Sequence, residues 1–69
     1  MTDVEKMAAG LSEADVRLFV NARTYPSGVW LGGPCKRLYP LNLCRLTGEL
    51  TMLGIALRDH LRAQEGERG

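Results

Sequence analysis

Between Val16 and Gly48 the chain has no aspartate or glutamate, although it carries Arg17, Arg23, Lys36, Arg37 and Arg45 there. Other residue types are also scarce. The 69 residues include two cysteines, Cys35 and Cys44, one histidine, His60, and single copies of tryptophan and phenylalanine. Structural zinc takes four ligands in closely spaced pairs. Two thiols nine positions apart with no second pair do not supply them, so no metal or other cofactor is expected. A Cys35–Cys44 disulfide is sterically conceivable, but free thiols in a reducing compartment are the expectation. No apolar run approaches the roughly 20 residues that cross a bilayer. The N-terminus lacks the charged-then-apolar layout of a secretory signal, so a cytoplasmic protein with no membrane partner is expected. Serine, histidine and acid are not spaced for nucleophilic catalysis. Asp59 and His60 are sequence neighbours that point apart on a helix, and Gly32-Gly33-Pro34 is too short for a phosphate loop. The expectation is a non-enzymatic protein.

The charge is segregated. Residues 1–15 set Asp3, Glu5, Glu13 and Asp15 against Lys6, and residues 49–69 set Glu49, Asp59, Glu65 and Glu67 against Arg58, Arg62 and Arg68. The formal net charge is only +1, but a polyanion responds to the local field of one face, which the unbalanced middle can supply. Solvated side chains are the ordinary alternative for the same five cations. A chain this short buries only about 60% of the surface exposed when unfolded, so oligomerisation is a natural reinforcement.

Thr2 and Glu5 form a capping-box pattern for a first helix that Gly10 interrupts. Ser12 starts a second helix reaching about Arg23, apolar over most of its circumference. Residues 24–28, with Pro26, Ser27 and Gly28, read as a turn, and Val29, Trp30 and Leu31 as a short strand. Pro34 to Tyr39 is predicted as one or two helical turns stopped by Pro40, and Leu43 to Leu46 as a strand turning at Thr47-Gly48-Glu49. Thr51 is the expected N-cap of a last helix from Met52 to Ala63. Its core stripe is Leu50, Leu53, Leu57 and Leu61, with Met52, Ala56 and Ala63 widening the apolar arc. So wide an arc predicts a homodimer contact, and Gly54 suits the close approach of a neighbouring backbone. Residues 1–63 are expected to form one domain, and residues 64–69 a disordered tail.

Leu50, Thr51, Gly54 and Leu57 match a Leu-Thr-x-x-Gly-x-x-Leu pattern by which winged helix-turn-helix domains enter their closing helix, and Leu11-Ser12-Glu13-Ala14 looks like the start of their first core helix. From Leu11 to Leu61 the chain thus resembles a trimmed winged helix, of the kind found in small phage or mobile-element proteins. Between Leu31 and Leu43 there is room for one short helix, where the family places two. The resemblance implies an α+β domain of three to four helices with a two-stranded wing, acting as a regulator on double-stranded DNA. Lys36, Arg37 and Tyr39 would serve recognition, with Arg45 near the wing and Arg17 or Arg23 on phosphates. The rival expectation is an adaptor or inhibitor that binds a host protein. Its contacts, or those of a dimer, would come from Trp30, Met52, Ala56 and Leu57. A lone tryptophan also reads, first of all, as core.

Overall fold

A computed structural model describes residues 3–68, with side chains through residue 66. Thr2, the expected cap of the first helix, lies outside the described residues. In chain order the elements are α1 (Asp3–Gly10), α2 (Glu13–Val20), β1 (Arg23–Tyr25), β2 (Gly28–Trp30), a single 3-10 turn (Tyr39–Leu41) and α3 (Met52–Arg68). This is a small α+β domain: three helices and a two-stranded antiparallel sheet. At 1.5 Å per residue α3 is about 25 Å long, close to the 30 Å longest dimension of the molecule. Both α1 and α2 pack against it.

Ser12 caps α2 from an extended conformation, its hydroxyl accepting the Asp15 N–H at 3.3 Å. The helix ends at Val20, three residues before the expected boundary, because Asn21 closes it and Arg23 enters β1. The segment expected as a turn from residue 24 begins instead with a strand. Thr24 and Tyr25 have strand propensity, and only Pro26 and Ser27 remain as the two-residue hairpin loop. Arg23 pairs with Trp30, Thr24 with Val29 and Tyr25 with Gly28. Val29 is buried, so Thr24 and Val29 face inward while Arg23, Tyr25 and Trp30 share the outer face.

The predicted helix at residues 34–39 is absent. Turns occupy that stretch, followed by the 3-10 turn, which contains Pro40 instead of ending before it. Proline is tolerated in a first helical turn, where its N–H has no partner to lose. Asn42 then takes the left-handed conformation (φ 60°) and closes the turn. The predicted strand from Leu43 to Leu46 reduces to a single bridge between Cys44 and Leu50, with a tight turn from Arg45 to Gly48 held by a 2.9 Å hydrogen bond. Gly48 has φ 96°, and a side chain there would strike the Gly33 carbonyl. A second bridge joins Trp30 to Glu49, and Leu50 N–H donates to the Val29 carbonyl at 2.7 Å. The pairing thus widens from the hairpin outward, with residues 49 and 50 bridged both to β2 and, through Leu50, to Cys44.

Thr51 performs the capping role expected of it. Its hydroxyl accepts the Gly54 N–H at 3.2 Å and donates to the Asn42 carbonyl at 2.6 Å, while its N–H donates to the Leu43 carbonyl at 3.1 Å. The loop before Cys44 is therefore fastened to the start of α3. Phe19, Ala22, Val29, Leu38, Leu43, Cys44, Leu50, Leu57 and Leu61 form the core. The last helix continues past Ala63 to Arg68, into the stretch expected as a tail, where Gln64 and Glu65 favour helix and Gly66 opposes it.

Candidate nucleic-acid interface

The pairing register builds one row of side chains across the outer face. Arg23 lies opposite Trp30, Trp30 is bridged to Glu49, and the Arg45 N–H donates to the Glu49 carbonyl at 2.7 Å. The row therefore reads arginine, tryptophan, glutamate, arginine. Arg45 Nε, on an exposed side chain, stands 3.9 Å from a carboxylate oxygen of the half-buried Glu49, which partly offsets both charges. Tyr25 is half-exposed beside Gly28, over which the Glu49 carboxylate lies.

Two grooves adjoin the Arg23–Trp30 end of this row. One, of about 310 Å3, is lined by Asn21, Arg23, Tyr25, Trp30, Leu31, Gly32, Gly33 and Thr47. The other, of about 400 Å3, runs past Leu18, Pro34, Cys35, Lys36 and Arg37, and shares Leu31 and Gly33 with the first. The two adjoin at these residues, and the charged lining of the strip they make is Arg23, Lys36 and Arg37, with no carboxylate among the lining residues. Arg23 and Lys36 are exposed and make no ion pair among the described residues. Arg37 Nη2 approaches Asp15 Oδ1 at 2.7 Å, off the hydrogen-bonding angle, so that buried oxygen is compensated by charge alone. The Arg37 side chain remains 66% exposed, so it can still meet an anion.

The strip thus gathers Arg23, Lys36, Arg37 and Trp30 from among the expected site residues. Arg17 is exposed on α2 beside Leu18 but does not line either groove. Tyr39 is exposed in the 3-10 turn, also outside the strip, and Arg45 lies on the far flank beyond Glu49. Leu57 cannot be a partner contact as expected, because it is fully buried in the core. Met52, 88% exposed, and Ala56 do lie on the surface of α3. Trp30 is half-buried on the outer face and is not among the fully enclosed core residues.

Two arginines of α3, four positions apart and so on one face, have a structural role that the sequence did not disclose. Arg62 donates through Nε and Nη2 to the Val20 carbonyl at 3.1 and 2.9 Å. Arg58, 7% exposed, donates through Nε to the Ala22 carbonyl at 3.2 Å and through Nη2 to the Thr24 hydroxyl at 3.0 Å. They satisfy carbonyls at the end of α2, where the helix dipole also favours positive charge. Their i, i+4 spacing was visible in the sequence, but its target depends on the tertiary fold.

Cys44 is buried, and its thiol donates to the Cys35 carbonyl at 3.3 Å. Burial pushes the Cys44 thiol above its ordinary range, and the neighbouring Cys35 adds to the effect. Among the described residues no three histidine, cysteine or acidic side chains gather into a metal site, and no helix is long and apolar enough to cross a membrane. No family model, curated protein or solved structure matches the chain.

Proposed function

We propose that the protein is a small, non-enzymatic nucleic-acid-binding regulator that engages DNA phosphates through the strip of Arg23, Lys36 and Arg37. The observation that carries this reading is that Arg23 in one groove and the adjacent Lys36 and Arg37 in its neighbour face concavities that share Leu31 and Gly33 and have no carboxylate among their lining residues. Cations so placed act on a phosphate backbone by releasing its counterions. In this reading the domain is a trimmed winged helix in which the loop at residues 34–38 takes the position of a recognition helix. A loop carrying Lys36 and Arg37 supports backbone contacts more readily than base reading in the major groove. The test is fluorescence anisotropy of a labelled random-sequence duplex at low salt. Micromolar binding that disappears on replacing Arg23, Lys36 and Arg37 together with Ala supports the proposal, and absence of wild-type binding to both this duplex and a single strand of equal length removes it.

A second reading, an adaptor or inhibitor that binds a protein, draws on a different surface. Tyr39, Leu41, Leu46 and Met52 are large apolar residues left exposed around the loop and the start of α3. This face and the outer side of Ala56 are also where a homodimer would form. Sedimentation of the wild type against Met52→Glu separates self-association from binding to a different partner.

A further inference from the structure

The groove beneath the hairpin has a chemistry that phosphate binding alone does not use. Trp30 and Tyr25 contribute aromatic surface to it, Arg23 a cation, Asn21 an amide and Thr47 a hydroxyl. Tyr25 remains 48% exposed, which leaves ring surface open to a ligand. We infer that this groove receives an unpaired nucleotide of a single-stranded nucleic acid, with its base against the Tyr25–Trp30 pair and its phosphate on Arg23. The inference rests on the reading of the strip as a nucleic-acid surface and specifies the form of nucleic acid it takes.

Three observations favour a single strand. A duplex keeps its bases stacked inside and would leave the aromatic pair idle, whereas an unpaired base offers a π-face to any flat ring. The chain from Pro34 to Leu41 provides turns and one 3-10 turn, so no α-helix stands ready to enter a major groove. The groove also shares Leu31 and Gly33 with the one lined by Lys36 and Arg37, so a strand that crosses these two residues brings its next phosphates to those cations. Glu49 sets the polarity of the site. Its carboxylate lies over Gly28, the residue paired with Tyr25, and repels phosphate there, which leaves Arg23 as the position for the backbone.

Trp30 is the only tryptophan, so its fluorescence reports on the groove itself. The experiment titrates the full chain with oligothymidylate, a duplex of equal length and an abasic phosphodeoxyribose oligomer. Saturable quenching is expected with oligothymidylate, at an affinity several-fold above that for the other two. In anisotropy measurements with labelled oligothymidylate, Tyr25→Ala, at an exposed position, weakens binding roughly 5- to 150-fold, the range for removal of one base–aromatic stack, and Tyr25→Phe restores it. Equal binding of the abasic oligomer or the duplex overturns the inference and leaves the phosphate reading standing. An unaltered affinity in Tyr25→Ala also overturns it. If neither strand nor duplex binds at low salt, both readings fall.

Discussion

The carbonyl oxygen of Leu43 fills the space that a β-carbon on residue 54 would occupy, so Gly54 is the point where the loop backbone meets α3. The close approach anticipated at this glycine is therefore met within the chain. Thr51 fixes the contact from both sides by capping the helix and holding the Asn42 carbonyl.

Gly54→Ala tests that contact through its sign. In an open helix the change gains about 1 kcal/mol, but here the added carbon must displace backbone, and overpacking costs about 1–3 kcal/mol. A net loss of stability in urea denaturation is expected. A net gain would show that the loop does not pack so closely.

Leu57 and Met52 divide α3 into its two faces. Leu57→Ala should cost about 2–5 kcal/mol, as deletions from a closed core do, whereas Met52→Glu, at a position 88% exposed, should stay within about 0.5 kcal/mol. Thermal melts of the two variants, run at the same protein concentration, give the comparison. Equal destabilisation would mean that Met52 is covered in solution.

Arg58→Met retains the aliphatic stem and deletes the bonds to Ala22 and Thr24. Hydrogen bonds from a charged donor contribute about 1.5–3 kcal/mol each. With Arg62 still near the Ala22 carbonyl at 3.3 Å, a total loss of about 2 kcal/mol is expected in chemical denaturation. A loss below about 0.5 kcal/mol, within the range of an ordinary surface change, would mean that Arg62 alone suffices at the end of α2.

Cys44 gives the domain an alkaline dependence. Its thiol titrates higher in the folded chain than its ordinary value of 9.0. The unfolded chain therefore loses this proton first as pH rises, so stability is intact below that value and declines above it. Cys44→Ala should lessen the decline between neutral and strongly alkaline pH. Thiol labelling should show a fast phase from half-exposed Cys35 and a slow phase from Cys44 that denaturant accelerates. Two equally fast phases would contradict the buried placement.

Local chemistry carried most of what was legible in the sequence. The caps Ser12 and Thr51, the short strand at Val29–Trp30 and the leucine stripe of α3 follow from spacing and side-chain preference alone. The centre was harder to read because its backbone is organised by distant partners. Cys44 pairs with Leu50, Gly48 yields to Gly33, and Leu43 is held by Thr51, so helical or strand propensity at residues 34–46 had little influence. For the candidate site, the charge imbalance pointed to Arg23, Lys36 and Arg37. Their union with Tyr25 and Trp30 required the hairpin register, and the pairing of Arg37 with Asp15 required the packing of a loop on α2.

The most direct test of the central proposal is the salt dependence of nucleic-acid binding, followed by anisotropy for the wild type and for the chain with Arg23, Lys36 and Arg37 all replaced by Ala. A steep fall of log K with log salt is predicted for the wild type on duplex DNA. The slope should flatten in the variant by about 0.9 for each phosphate that is no longer neutralised, with the fold unchanged by circular dichroism. An identical slope in the two proteins would contradict the assignment of these three residues to the phosphate-binding surface.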